Sequence, residues 1–256
     1  MNLFEQLEGQ KVAAKVAALI ARGALFVIND SAGKDSQVMK IRLRELVPAD
    51  QLLVVHADLG EVEWDGNVEH IERYNFGLPL IVCRAVKTFL GMVEARGMFP
   101  SPQQRQCTSD LKRGPIEREI RRYLKANPRF GGLVVNCMGL RAEESASRAK
   151  AAVFKLNGKN SVAGREWYDW LPIHDMRIED VWATIAEAGQ EAHPAYAAGM
   201  TRLSCCFCIM ASQADLRTAA RLKPDLFKRY VELEKLIGHT MNMEGRGLEE
   251  VTGIAA

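Results

Sequence analysis

Long uninterrupted apolar runs are missing from this chain of 256 residues. No stretch approaches the roughly 20 apolar residues that a membrane-spanning helix needs. The opening segment, Met1 to Gly23, reads as an amphipathic helix with Val12, Val16 and Leu19 on one face, and it lacks the apolar core of a signal peptide. Neither membrane insertion nor export is expected, and the cytoplasm is the expected compartment. A surplus of charge is missing too. With 34 basic and 32 acidic residues, only local clusters could argue for a nucleic-acid or membrane surface. Repeats, low-complexity tracts and an obvious linker are also absent, so the chain reads as one large domain, or one domain with a C-terminal extension. The expected division is an α/β part over residues 1–175 and a helical part over 176–256, packed as one unit.

What the chain does contain is alternation. Apolar runs at Ala24–Ile28, Leu52–Val55, Pro79–Cys83 and Leu133–Cys137 read as buried strands. Between them lie helical patterns near Asp35–Leu46 (Val38, Ile41 and Leu46 facing the sheet), Val62–Tyr74 and Pro115–Lys125. Strand alternating with helix predicts an open, mostly parallel, twisted sheet flanked by helices. Residues 138–165 lose the apolar pattern and read as long loops with short helix. Residues 177–237 read as helical, with Leu226, Tyr230, Leu233 and Ile237 at core spacing. Residues 245–256 read as a loose tail.

The first strand runs into Asp30-Ser31-Ala32-Gly33-Lys34-Asp35-Ser36 and then into a helix. Ligands of open α/β sheets sit beyond the C-terminal strand ends, where this loop falls. Small residues let backbone N–H groups approach phosphate oxygens, a helix N-terminus adds partial positive charge, and Lys34 adds a full one. It is not a Walker A loop. Ile28 stands where the first glycine belongs, and Asp35 rather than Ser or Thr follows Lys34. The plainer reading of the same residues is a strand-to-helix turn with capping Ser and Asp.

Six cysteines in a chain with no export signal point to metal or redox chemistry rather than disulfides. Cys205 and Cys208 have C-x-x-C spacing, Cys206 lies between them, and Cys107 is far upstream. Iron–sulfur and zinc are both open on these ligands, as are plain reduced thiols. Cys83 and Cys137 fall on predicted strands and read as small apolar core residues. The basic run of Lys112, Arg113, Arg118, Arg121, Arg122 and Lys125 is either a solvated helix face, since Glu117 and Glu119 interrupt it, or a footprint on a phosphate backbone.

The Ser-x-Gly-Lys-Asp-Ser loop resembles the pyrophosphate loop of the adenine nucleotide α-hydrolase-like superfamily, whose members usually carry glycine where Ala32 stands. The resemblance extends to the PAPS reductase family, which includes APS and PAPS reductases and the ATPase components of DNA phosphorothioation. His56-Ala57-Asp58-Leu59-Gly60, Arg105-Gln106-Cys107-Thr108 with Leu111-Lys112 and Pro115, and Gly139-Leu140-Arg141-Ala142-Glu143-Glu144-Ser145 with Arg148 carry it onward. Pro172-Ile173-His174-Asp175 with Asp180-Val181-Trp182 continues the order, as does His193-Pro194-Ala195-Tyr196.

The resemblance implies an adenine nucleotide (ATP, APS or PAPS) held by Ser31, Ala32, Gly33, Lys34, Asp35 and Ser36 with Lys112, Arg141 and Arg148. Asp58 would serve Mg²⁺ or a ribose hydroxyl. It further implies a [4Fe–4S] cluster, with zinc as the alternative, on Cys107, Cys205 and Cys208, and Cys206 as the fourth ligand or a free thiol. Lys34, Asp35 and Cys206 are the catalytic candidates.

Three activities follow: ATP pyrophosphatase or adenylation chemistry coupled to sulfur transfer, sulfonucleotide reduction releasing sulfite, or a non-catalytic nucleotide-binding subunit bearing a cluster. The reductases carry their nucleophile in a C-terminal Glu-Cys-Gly-(Leu/Ile)-His motif, and no cysteine follows Cys208 here, which ranks the first activity ahead. A sulfur-donor protein, a thioredoxin-like reductant or a nucleic acid are the implied partners.

Overall fold

The computed structural model describes residues 3–256. Helices α1 (Leu3–Ala21) and α2 (Lys34–Leu46) bracket strand β1 (Leu25–Asn29), and β2 (Leu52–Ala57), α3 (Asn67–Arg73), β3 (Leu80–Cys83) and α4 (Phe89–Arg96) follow. A π-helix over Cys107–Arg113 runs directly into α5 (Gly114–Ala126). Then come β4 (Leu133–Cys137), α6 (Ala146–Ala149), β5 (Phe154–Leu156), β6 (Glu166–Trp170), α7 (Ile178–Glu187), α8 (Pro194–Ala197), α9 (Gln213–Leu222), α10 (Pro224–Ile237) and α11 (Leu248–Thr252). Met1 and Asn2 of the expected first helix lie outside the described residues. Among the described residues no helix is long and apolar enough to cross a membrane.

The six strands order as β3-β2-β1-β4-β6-β5, all parallel except β5, which pairs antiparallel with β6 at the edge. This is the expected mostly parallel α/β sheet. Leu25, Phe26, Val27 and Ile28 are fully buried, as are Leu53, Val54 and Val55, because helices cover both faces. One covering layer packs Val16 and Leu19 of α1, Val38, Met39 and Leu43 of α2, and Val181 and Ile185 of α7 onto Phe26, Ile28, Val54 and Val135. The other packs Ile120 and Leu124 of α5 onto Leu25, Val27, Leu53 and Val134.

Three expectations are corrected. Residues 138–165 are not only loops, since β5 lies within them and pairs with β6. The tail is not loose: α11 buries Leu248 and Val251, and the buried Glu234 carboxylate accepts the Leu248 (2.8 Å) and Met241 (2.7 Å) amides. Leu46 does not face the sheet. It is 55% exposed, and Leu43 is the residue buried on that turn. The helical reading of 177–237 holds for α7 to α10, with Leu226, Tyr230 and Leu233 buried, but residues 201–212, which carry three cysteines, form a loop between α8 and α9.

The expected N- and C-terminal parts interlock. A third apolar cluster joins Leu59, Val62, Trp64, Phe89, Val93 and Leu111 to Cys206, Phe207, Phe227, Tyr230 and Val251. Residues 59–111 thus supply over a third of the buried core that the C-terminal helices need.

Candidate functional site

β1 pairs with β2 on one side and β4 on the other, so successive connections leave it in opposite directions. Such a switch point leaves a crevice at the C-terminal strand ends. The segments after β1 and β4 both enter it. Gly139, just after β4, lies so close to the N-terminus of α2 that an added Cβ would meet the Asp35 carbonyl oxygen at 3.0 Å and the Ser36 nitrogen at 3.2 Å. Only glycine allows that approach, and it brings Arg141 to the loop after β1.

Local chemistry shapes that loop. Asp30 is buried; its Oδ1 accepts from the Ala32 amide (2.9 Å) and from Ser36 Oγ (2.9 Å), and its Oδ2 pairs with Lys40 Nζ at 2.7 Å. Ser36 Oγ in turn accepts the Ser31 amide at 3.1 Å. The resulting tight turn sets Ala32 at φ 61°, the left-handed region that glycine occupies more easily. The superfamily's usual glycine at this position therefore has a conformational reason. Beneath the turn, His56 Nδ1 donates to the Asp30 carbonyl (2.8 Å), and His56 Nε2 lies 3.3 Å from the Glu63 carboxylate.

Lys34 and Arg141 are buried cations of one cluster. Asp35 bridges them, with Oδ2 3.1 Å from Lys34 Nζ and Oδ1 2.7 Å from Arg141 Nε, and Glu143 takes Arg141 Nη1 at 2.5 Å. Burial lowers the Arg141 pKa, but the Asp35 and Glu143 carboxylates outweigh it and hold the guanidinium charged. Both cations line a cavity of about 480 Å³ that Glu144, Trp182, Tyr196 and Arg202 also wall. Tyr196 was part of a recognised segment but had no assigned role. Its hydroxyl accepts the Lys34 amide at 3.1 Å, Lys34 Nζ stands 5.4 Å from its ring centroid, and Trp182 meets it edge-on at 5.3 Å. Burial pushes the Tyr196 phenol up to about 12, so it stays neutral.

The remaining expected nucleotide contacts stand elsewhere. Arg148 pairs with Glu144, which itself lines the cavity, so it acts from behind that wall. Asp58 is engaged by Arg84 and by the Gly60 amide (2.6 Å). Burial raises its pKa, but those two contacts bring it below the usual carboxylate range. Lys112 keeps company with thiols. Cys205 raises its pKa most, burial opposes that, and Glu63, Cys208 and Cys107 add to the rise. A π-helix closes i→i+5 bonds, here Gly114 N to Ser109 O, so Lys112 follows Cys107 one turn later on the same face.

Cys107, Cys205 and Cys208 are partly buried and lie within electrostatic reach of one another. Burial pushes the Cys205 thiol up to about 12 despite Lys112. As donors, three thiols beside a lysine fit a soft, thiolate-bound group. Among the described residues, though, no three Cys, His, Asp or Glu side chains are arranged to hold a metal ion. Cys206 stands apart from that trio, fully buried in the C-terminal core with its amide on the Val62 carbonyl (2.9 Å) and its thiol pushed up to about 12 by burial. A reactive cysteine shows the reverse, a lowered pKa and access.

The basic face of α5 is largely self-neutralised. Arg118 and Arg122 pair with Glu119 and Arg121 with Glu117.

Among known proteins, an uncharacterized protein of Methanocaldococcus jannaschii is 27% identical over 220 residues, covering 84% of this chain and 49% of that protein. An uncharacterized 37.8 kDa protein of Escherichia phage 186 is 28% identical over 149 residues, covering 58% of this chain and 43% of its own length. The chain therefore spans about half the length of these relatives or less. Phosphoadenylyl-sulfate (PAPS) reductase from Candida auris, solved as a phosphate complex, superposes with a TM-score of 0.46 at 12% identity over 70% of this chain and 80% of that one. The phosphoadenosine phosphosulfate reductase domain family matches residues 26–211, most of the chain. With a phosphate-type loop at the switch point of its sheet, this chain belongs to that family.

Proposed function

We propose that this protein binds ATP at the switch-point crevice and uses it to adenylate an acceptor, releasing pyrophosphate, as the activating half of a sulfur transfer. One observation carries the reading: Lys34 and Arg141, two buried cations from separate loops, converge on one 480 Å³ cavity beside a helix N-terminus. Among the described residues their only shared counter-charge is Asp35. A polyphosphate entering the cavity replaces that carboxylate as the bridge, and the loop amides, including the Lys34 N–H now held by Tyr196, turn to its oxygens.

An acceptor oxygen or similar nucleophile then attacks the α-phosphorus, the bond between that phosphorus and the α–β bridging oxygen breaks, and pyrophosphate leaves with the electron pair. Charge grows on the departing oxygens, where Lys34 and Arg141 are already fixed and largely shielded from water. Trp182, Ile178 and Met200 form the less polar wall of the cavity, suited to the adenosine end.

Cys107, Cys205 and Cys208 are the residues that would hold a thiolate-bound cluster, which when bound would supply the sulfur-handling or redox chemistry. Lys112 stabilises negative charge on those sulfurs. Burial of Cys206 at a thiol pKa of about 12 supports this reading over sulfonucleotide reduction with Cys206 as the nucleophile.

The test is a nucleotide panel on anaerobically prepared protein. Pyrophosphate release from ATP, lost in Lys34→Ala and Arg141→Ala, is expected. Sulfite release from APS or PAPS with a thioredoxin-type reductant, and no pyrophosphate from ATP, would overturn the proposal.

A further inference from the structure

A second cleft of about 530 Å³ opens beside the cysteine segment and shares no lining residue with the nucleotide cavity. Arg96, from the last turn of α4, Arg105, just before the π-helix, and Arg113, its last residue, give it three positive charges, and glutamines, Thr108 and Ser109 complete its wall. Among the described residues no acidic side chain lines it. None of the three arginines forms an ion pair among the described residues, in contrast to Arg118, Arg121 and Arg122 on α5. Arg96 is held in place without being neutralised: its guanidinium donates to the amide oxygens of Gln106 (2.9 Å) and Gln104 (3.1 Å). The nearby carboxylate of Asp110 is occupied by Ser109 Oγ (2.7 Å) and Gln106 Nε2 (3.0 Å) and takes no arginine.

A concave surface with three uncompensated guanidinium groups concentrates positive potential, and arginine grips phosphate with two parallel hydrogen bonds. Among the described residues no aromatic side chain lines the cleft, so they offer no stacking platform for a base. Such a surface suits a phosphate group. Its position adds the second half of the argument: Gln106 and Thr108, both in the wall, flank Cys107, which is partly exposed.

We propose that this cleft seats the acceptor of the reaction, gripping a phosphate ester of it through Arg105 and Arg113 next to Cys107. The assignment of the ligand as acceptor rests on the adenylation reading above, whereas the phosphate site itself stands on the cleft alone. Two sources share this chemistry, a small phosphate ester and the backbone of a single-stranded polynucleotide.

The full-length protein is titrated with inorganic phosphate and with a labelled single-stranded oligonucleotide of about 12 residues, by calorimetry and fluorescence anisotropy, across a range of salt. The Lys34→Ala background removes phosphate binding at the nucleotide loop. Saturable binding of either probe is expected in that background, weakened about tenfold or more by the double variant Arg105→Ala/Arg113→Ala and unchanged by the control Arg122→Ala. For an oligonucleotide the log–log salt slope should fall by about 1.4, two contacts at roughly 0.7 each. Binding of phosphate alone assigns a small ester, and binding of the oligonucleotide assigns a strand; both support the site. No binding of either probe, or equal binding by the double variant, overturns it. Pyrophosphate release measured in parallel separates the two claims: if the wild-type protein releases none yet binds through Arg105 and Arg113, the adenylation reading falls and the phosphate site remains.

Discussion

The phosphate loop and the cysteine segment handle burial in opposite ways. At the loop almost every buried polar group has a partner: Asp30 with Lys40, Ser36 and an amide, Asp35 with Lys34 and Arg141. At the cysteines, thiols are set into an apolar cluster with one lysine for company. A fully bonded polar turn holds its shape. The Cys205 and Cys206 thiols, pushed up to about 12 by burial, stay protonated.

The largest expected effect tests the loop side of that contrast. Lys40→Met leaves Asp30 buried without its cation. The expected loss is about 3–5 kcal/mol, measured by denaturant unfolding, with nucleotide binding lost as well because Asp30 shapes the turn. A loss under about 1 kcal/mol would mean that the turn does not depend on the pair.

The next effect is one of pH. Burial holds the His70 pKa down to about 4, with His193 adding to the effect, and burial lowers His193 too. Both are neutral in the fold and take up protons near pH 6.5 when unfolded, so the unfolded chain binds more protons between those values. Their contribution is complete above about pH 6.5 and is lost as pH falls towards 4. At pH 5 the stability should drop by about 1–2 kcal/mol, and His70→Gln should flatten the profile of melting temperature against pH.

Smaller still is Cys206→Ala. If burial governs this residue, stability falls by about 1 kcal/mol while nucleotide turnover and cluster retention persist. Loss of turnover with the fold intact would restore Cys206 as a working thiol. Last, Ala32→Gly relieves the left-handed backbone but gives the unfolded chain more freedom. A net change within about 1 kcal/mol and unaltered nucleotide affinity are expected.

These two regions also differed in how readily the sequence disclosed them. β1, β2 and β4 were legible because a strand buried on both faces is a plain apolar run, and β3 because it is equally apolar although only its Cys83 is buried. β6 was not, because Glu166 and Asp169 break its aromatics into a mixed pattern, and β5 is only three residues with Lys155 at its centre. α11 escaped because Leu248 and Val251 make a single helical step, too short to show a period. Motif and chemistry single out the loop residues Ser31 to Ser36 and Arg141, which the fold brings together at the crevice. Lys40 and Tyr196 were not, since each gains its role by reaching across the fold to Asp30 and to the Lys34 amide. Lys112 was legible as a cation, but its closeness to the thiols was not. Five-residue spacing from Cys107 suggests no common face in an ordinary helix.

That wider coil has a consequence for how the protein tolerates change. The turn from Cys107 to Arg113 contains one residue more than a regular helix needs, so the stretch is a counting device. Removing a single residue such as Ser109 should let it wind down to the common pitch, with Cys107 and Lys112 then four apart and still on one face. The segment can therefore lose one residue and keep that pairing.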